Sequence, residues 1–239
     1  MRHIPNFITS LNLAAGFIAI IFIMKGNIST ASWLILAAMV FDFLDGFASR
    51  ILKAYSDLGK ELDSLADVVS FGVAPGLIIY HFLNSSEIPQ TTSALSIPGV
   101  GSLLFLLVSS LMPVCAGLRL AKFNIDATQT TIFKGLATPA NALAVITVAL
   151  AGDYGNSPMI ESFLSMPLAI VLFSLILSAL MVTRIPLLSL KFINYKFRGN
   201  ERRYILIVIC AAMILIFGFS AIPLIIPAYI AVSLISLLF

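Results

Sequence analysis

Four aspartates fall within 26 residues of otherwise largely apolar sequence: Asp42, Asp45, Asp63 and Asp67. An aspartate at the centre of a membrane helix costs about 2.5–3.5 kcal/mol on insertion scales, so four of them together need a reason. The first pair is three residues apart and the second four, spacings that place each pair on one face of a helix. Converging carboxylates repel one another unless a cation lies between them, and hard divalent ions such as Mg²⁺ prefer carboxylate and phosphate oxygens. The pattern therefore predicts a site for two divalent ions that hold a phosphate-bearing substrate, with ordinary salt-bridged surface acids as the alternative.

Two glycines and an arginine accompany these acids. Gly46 directly follows Asp45, and Gly59 precedes Asp63 by four residues, on the same helix face. Glycine in a helix costs roughly 1 kcal/mol relative to alanine, so each marks close approach, either of a ligand or of a neighbouring helix. Arg50 follows on the same segment, and its planar guanidinium suits a phosphate or a base edge.

The composition indicates the kind of element that must position these groups. Of 239 residues, 60% are hydrophobic and only 10% charged, with a mean hydropathy of +1.06; a soluble domain carries about 25% charged residues. We therefore predict an all-α, polytopic transmembrane bundle, with residues 1–239 forming a single domain. Eight apolar segments are predicted to span the membrane: 8–24, 31–52, 62–83, 101–122, 137–152, 166–183, 204–220 and 222–238.

The basic residues orient this bundle. With eight spans, alternate connections place thirteen of the fourteen on one side: Arg2, Arg50, Lys53, Lys60, Arg119, Lys122, Lys134, Arg184, Lys191, Lys196, Arg198, Arg202 and Arg203. Lys25 alone falls on the other side. The positive-inside rule makes the basic side cytoplasmic, with both termini there. Because the aspartates lie near that end of their spans, the site should open to the cytoplasm from a multi-pass protein of the cell membrane.

The segment Asp42-Phe-Leu-Asp-Gly-Phe-Ala-Ser-Arg50, then Gly59-Lys-Glu-Leu-Asp-Ser-Leu-Ala-Asp67 after eight residues, resembles the signature of the CDP-alcohol phosphotransferases. That signature reads D-x2-D-G-x2-A-R-x8-G-x3-D-x3-D, and seven of its eight fixed positions match here. The exception is Ser49, which stands where the family has alanine and is nearly as small.

Further stretches resemble the branch of this family that uses serine as the acceptor. They are Ala66–Pro75, Leu118–Asn124 and Phe133–Ala140, and an N-terminal Pro-Asn-x2-Thr-x2-Asn stretch is also similar to the family's. The resemblance extends over roughly residues 5–142. It implies transfer of a phosphatidyl group from a CDP-linked lipid, of diacylglycerol or archaeol type, to the hydroxyl of L-serine with release of CMP.

The resemblance also implies roles for residues of this chain. Two divalent ions, Mg²⁺ or Mn²⁺, would be held by Asp42, Asp45, Asp63 and Asp67, with Asp67 also the general base. The residues implied to contact CDP are Gly46, Arg50, Ser56 and Gly59, with Asn6, Thr9 and Asn12 as weaker candidates. The serine pocket would use Arg119, Asn124 and Lys134, although positive-inside anchoring also explains the two basic residues. The partners implied are membrane lipids and a second copy of the chain in a homodimer, and nothing indicates a nucleic acid.

Two alternatives remain at this stage. One keeps the reaction and changes the acceptor to glycerol 3-phosphate or inositol phosphate, which would require a denser basic pocket. The other is a divalent-cation transporter that uses intramembrane acids as its pathway. Transport predicts acids spread through the membrane depth and gives no reason for the glycines and the arginine at these spacings.

Overall fold

The computed structural model describes residues 3–86, 100–125, 135–155, 157–185, 187 and 200–235, and all regular structure in these ranges is helical. The α-helices are α1 (His3–Met24), α2 (Ile28–Ile51), α3 (Asp57–Asp67), α4 (Ala74–Ser85), α5 (Val100–Ile125), α6 (Thr138–Tyr154), α7 (Pro158–Ser165), α8 (Pro167–Val182), α9 (Glu201–Phe217) and α10 (Ile225–Ile235). A π-helical segment, Val68–Val73, joins α3 to α4, and a 3₁₀ segment, Gly218–Leu224, joins α9 to α10.

Four helical segments in the described ranges are long and apolar enough to cross a membrane: His3–Met24, Ile28–Ile51, Asp57–Ser85 and Leu103–Ile125. A fifth candidate is the pair α7 and α8, which is bent by 88°. The chain is thus a membrane protein that is all-helical throughout its described residues, as predicted. The later predicted segments are also helical but shorter, with 17 residues in α6 and 11 in α10, so the number eight stays a prediction.

Local sequence explains where the site-bearing helices begin. The α1–α2 turn uses Gly26 at φ +76°, and the side chain of Asn27 then caps α2 by accepting a hydrogen bond from the Thr30 N–H. Ser56 caps α3 in the same way, accepting from the Gly59 N–H across 3.0 Å. The second half of the aspartate pattern therefore lies on a helix whose start is fixed by a side-chain cap.

Close contacts set the registers between neighbouring helices. At the start of α2, the end away from Asp42 and Asp45, the hydroxyl of Ser29 donates a hydrogen bond to the Asp153 carboxylate of α6. A Cβ at Gly72, in the π-helical segment, would lie 3.0 Å from the Ala116 side chain of α5. Gly72 lies against Ala116 while the later Gly76 lies against the earlier Ser109, so α5 runs antiparallel to this segment. The end of α6 lies beside the start of α2 and the two helices pack together, so they also run in opposite directions.

Apolar side chains are distributed as a lipid-embedded bundle requires. The fully buried core includes Phe71, Ile35, Ile78 and Ile146, contributed by several different helices. Many large apolar side chains point outward, with Leu215 of α9 86% exposed. Water would penalise such a surface, whereas lipid tails solvate it.

Candidate active site

Three of the four aspartates form a compact group. One carboxylate oxygen from each of Asp42, Asp63 and Asp67 lies within 4.8 Å of the others. Asp63 Oδ1 is buried and has no hydrogen-bond partner among the described residues. A buried, unpartnered carboxylate oxygen beside two further carboxylates is a donor set that fits a hard divalent cation. The sequence predicted that all four aspartates converge, and the structure brings three of them together.

Asp45 is anchored separately, by α1. The Thr9 hydroxyl donates a hydrogen bond to Asp45 Oδ2 across 2.6 Å and also lies 3.0 Å from the Pro5 carbonyl oxygen. Both Thr9 and Asp45 are buried. The charge of Asp45 nevertheless acts on both Asp42 and Asp63, so the four acids form one electrostatic unit.

Asp67 is held from α1 as well. The side-chain amide of Asn12 donates to Asp67 Oδ1 across 3.3 Å, and the hydroxyl of Ser70 donates to the Asn12 carbonyl oxygen across 3.0 Å. Gly16 makes this approach possible, because a Cβ there would lie 2.2 Å from Ser70 Oγ. Asp67 is also the last residue before the π-helical segment, a rare structure that is frequent at functional sites.

A cavity of about 590 Å³ opens beside the aspartates. The predicted site residues among those that line it are Asn6, Thr9, Asp45, Gly46, Arg50, Ser56, Gly59 and Asp63. Asn12 is not among the lining residues, since its amide faces Asp67. The sequence prediction missed Tyr55, Lys60 and Phe123, which also line the cavity. Lys60 could have been found, because it lies three residues before Asp63 on the same helix face.

The two glycines of the pattern have different surroundings. A Cβ at Gly46 would meet no described heavy atom within 4 Å, although the residue lines the cavity. A Cβ at Gly59 would lie 2.9 Å from Asn6 Oδ1 and 3.0 Å from Ser56 Oγ. Helix packing therefore explains Gly59, whereas Gly46 leaves open space on the cavity wall.

The three residues predicted for the acceptor pocket separate. The side-chain amide of Asn124 donates a hydrogen bond to Ser64 Oγ, and the backbone carbonyl oxygen of Asn124 accepts one from Lys60 Nζ, each across 2.8 Å. These bonds fasten the end of α5 to α3. Arg119 instead interacts electrostatically with Asp67, and its buried Nε has no hydrogen-bond partner in the described part of the chain. Lys134 lies outside the described residues.

Comparison with known protein families identifies the family to which this chain and its aspartate site belong. The CDP-alcohol phosphatidyltransferase family matches the chain over residues 2–183, well beyond the 5–142 that the motifs covered. The chain belongs to this family. The prediction that the chain is an enzyme of the CDP-alcohol phosphatidyltransferase family is thus confirmed, and the transporter alternative is not favoured.

Individual relatives in this family agree with one another. The chain is 34% identical over 201 residues to a CDP-diacylglycerol–serine O-phosphatidyltransferase of Bacillus subtilis (strain 168), covering 84% of this chain and 96% of the relative. It is 30% identical over 244 residues to the Helicobacter pylori (strain ATCC 700392 / 26695) protein of the same name, covering 98% and 91%. An archaetidylserine synthase of Methanothermobacter thermautotrophicus is 30% identical over 173 residues, covering 72% and 67%.

Proposed function

We propose that this chain transfers a phosphatidyl group from a CDP-linked lipid to the hydroxyl of L-serine, forming phosphatidylserine or its ether-lipid counterpart and releasing CMP. The observation that carries the proposal is the convergence of Asp42, Asp63 and Asp67 next to a cavity that Asp63 also lines. The names of the relatives, which are serine transferases of both lipid types, support serine as the acceptor.

The aspartates form the part of the site that would bind the CDP-lipid. Asp42, Asp45 and Asp63, with Asp67 in reach, would hold two divalent ions, Mg²⁺ or Mn²⁺. Such ions, when bound, would neutralise the charge of the CDP diphosphate and orient it. The hydrogen bond from Thr9 keeps the Asp45 carboxylate in one orientation for this task.

The cavity would take the nucleotide. Gly46 leaves room for close approach to the backbone of α2, and Arg50 lines the same wall. Ser56 and Asn6 add hydroxyl and amide groups opposite. A base or ribose in this cavity would place its diphosphate toward Asp45 and Asp63, which line the cavity as well.

Asp67 would act as the general base. The acceptor oxygen forms a new bond to the lipid-bearing phosphorus, the phosphorus–oxygen bond to CMP breaks, and CMP leaves with that electron pair. The hydroxyl proton passes to the Asp67 carboxylate. This residue suits the task because it is 6% exposed, which keeps competing water away, and because Asn12 fixes its orientation.

Arg119 would bind the carboxylate of the acceptor. Its electrostatic interaction with Asp67 and its unpartnered Nε leave it available to a second anion next to the base. Asn124 would contribute by holding α5 in place, and Lys134 would add positive charge.

The arrangement in the membrane belongs to the same proposal. Residues 1–239 would form one domain of eight spans with both termini and the cavity on the cytoplasmic side, as the distribution of basic residues indicates. The homodimer stays a prediction, which light scattering of the detergent-purified protein would test.

The deciding experiment is CMP release by purified protein with a CDP-lipid, Mg²⁺ or Mn²⁺, and one alcohol at a time. We expect release with L-serine and its loss with EDTA. Release with glycerol 3-phosphate or inositol phosphate instead would be consistent with the proposed aspartate site but would contradict L-serine as the acceptor. Absence of release with every alcohol, from protein that is monodisperse and binds CDP-lipid, would reject the proposed reaction.

A further inference from the structure

Two polar side chains on α6 are buried without hydrogen-bond partners. The Thr138 hydroxyl and both amide atoms of Asn141 have none among the described residues, and the two residues are 1% and 0% exposed. Their spacing of three residues places them on one helix face. Buried polar groups in native proteins are nearly always paired, with protein, water or a ligand. Three unpaired atoms on one face therefore offer donors and acceptors to a polar ligand.

The register of α2 against α6 gives the depth of this face. The hydrogen bond between Ser29 and Asp153 joins the two antiparallel helices at one end. Asn141 precedes Asp153 by twelve residues, and Phe41, the neighbour of Asp42, follows Ser29 by twelve. Since each residue adds about 1.5 Å along a helix, Asn141 lies level with the aspartates to within about one turn.

A second register places Arg119 on the same level. The hydrogen bond between Asn124 and Ser64 and the close approach of Ala116 to Gly72 fix α5 against α3 and the π-helical segment. Counting between these pairs puts Arg119 opposite the start of the π-helical segment, immediately after Asp67. Both α5 and α6 pack against that segment, so unpaired polar groups from two helices lie at the depth where Asp67 ends α3.

We propose that Thr138 and Asn141 bind the ammonium group of the acceptor amino acid, while Arg119 binds its carboxylate. This inference rests on the proposed serine transfer. An ammonium group has three N–H donors and needs acceptors, which Asn141 Oδ1 and Thr138 Oγ1 supply. Both are neutral, so they do not add carboxylates that would compete with the aspartates for divalent ions. The pair thereby favours an alcohol that carries an amino group over one that lacks it.

The test compares variants of α6 in the CMP-release assay with L-serine and with 3-hydroxypropanoate, which is serine without its amino group. For Asn141→Leu and Thr138→Val we expect the KM for L-serine to rise about tenfold or more, with the KM for CDP-lipid unchanged. The preference for L-serine over 3-hydroxypropanoate should fall by a similar factor. Thr138→Ser, which keeps the hydroxyl, should restore the wild-type KM.

Thr147→Val is the matched control. Thr147 is buried on the same helix, but its hydroxyl donates to the Ala144 carbonyl oxygen across 3.0 Å, so this variant should leave both KM values unchanged. Wild-type KM for L-serine in the Asn141 and Thr138 variants, or an equal rise in the KM for CDP-lipid, would overturn the inference. So would a wild-type enzyme that uses 3-hydroxypropanoate as well as L-serine, a result that needs no folded variant. A wild-type enzyme that ignores L-serine but uses another alcohol would overturn the proposed function together with this inference.

Discussion

Asn12 on α1 donates a hydrogen bond to Asp67 on α3 across 3.3 Å, and so connects the N-terminal helix to the residue proposed to take the proton. The sequence resemblance implied a CDP contact for Asn12, but in the structure its amide faces the carboxylate and the residue does not line the cavity. A fixed carboxylate is a better base than a rotating one, because its acceptor orbital stays aimed at the reacting hydroxyl.

Replacing Asn12 should therefore lower turnover more than binding. A hydrogen bond to a charged group contributes about 1.5–3 kcal/mol, and at 3.3 Å the lower end applies, so Asn12→Ala should reduce kcat about tenfold. The KM for CDP-lipid should change little. Asn27→Ala is the control, since Asn27 only caps α2 at the far end. That variant should lose about 1 kcal/mol of stability with its kcat intact. An Asn12→Ala variant with wild-type kcat would contradict the positioning role.

Thr9 should matter for the donor rather than for the base. Thr9→Val removes the 2.6 Å hydrogen bond to Asp45 while keeping the shape of the side chain. We expect the apparent affinity for Mn²⁺ and CDP-lipid to fall about tenfold or more, because the carboxylate is no longer oriented. The neighbouring Ser10→Ala removes only an exposed bond to the Asn6 carbonyl and should leave both affinities unchanged. Equal effects of the two substitutions would show that the contact to Asp45 has no special role.

Alanine substitutions at Gly16 and Gly46 should distinguish a glycine needed for helix packing from one needed for ligand binding. Gly16→Ala would bring a Cβ to 2.9 Å from the Ser70 Cα and closer still to its hydroxyl. It should cost about 1–3 kcal/mol, visible as a lower Tm. Gly46→Ala meets no described atom within 4 Å, so the higher helix propensity of alanine should raise the Tm slightly, while the KM for CDP-lipid rises. A lower Tm for Gly46→Ala with an unchanged KM would assign Gly46 to packing.

Asp67 and Asp42 should differ in what their loss removes. Asp67→Ala should abolish CMP release while leaving a folded protein that binds CDP-lipid, because the proton acceptor is lost while the other three aspartates still hold the ions. Asp42→Ala should lose CDP-lipid binding as well, since this residue is proposed to hold the ions on the diphosphate. Binding of a fluorescent CDP-lipid and the Tm in detergent distinguish the two outcomes. Turnover by Asp67→Ala would remove Asp67 from the role of base.

Much of this site follows from the sequence because helical periodicity fixes which residues share a face. The spacings of the aspartates predicted convergence of all four, of which the structure groups Asp42, Asp63 and Asp67, and the resemblance placed Thr9 in the pocket. Which carboxylate Thr9 binds depends on the packing of α1 against α2, and no local pattern encodes that.

Other features depend on contacts between distant segments. In the π-helical segment after Asp67, Ser70 donates a hydrogen bond to the Asn12 carbonyl oxygen of α1. A hydropathy pattern does not predict this contact. The predicted third span began at residue 62, whereas the helix begins at Asp57, because the polar first turns of α3 lower the local hydropathy. The short α7 was missed because its eight residues, which include Glu161, are too few to form a span, and the predicted segment begins after them at residue 166.

The most direct test of the account is the number of Mn²⁺ ions bound to the purified protein in the presence of CDP, counted by electron paramagnetic resonance. We predict two ions per chain in the wild type. Asp63→Asn should lose at least one, because it removes one carboxylate from the Asp42, Asp63 and Asp67 group. Ser29→Ala, at the far end of α2, should keep both. No CDP-dependent Mn²⁺ binding to the wild type, or two ions in Asp63→Asn, would contradict the claim that these aspartates hold the nucleotide through divalent metal.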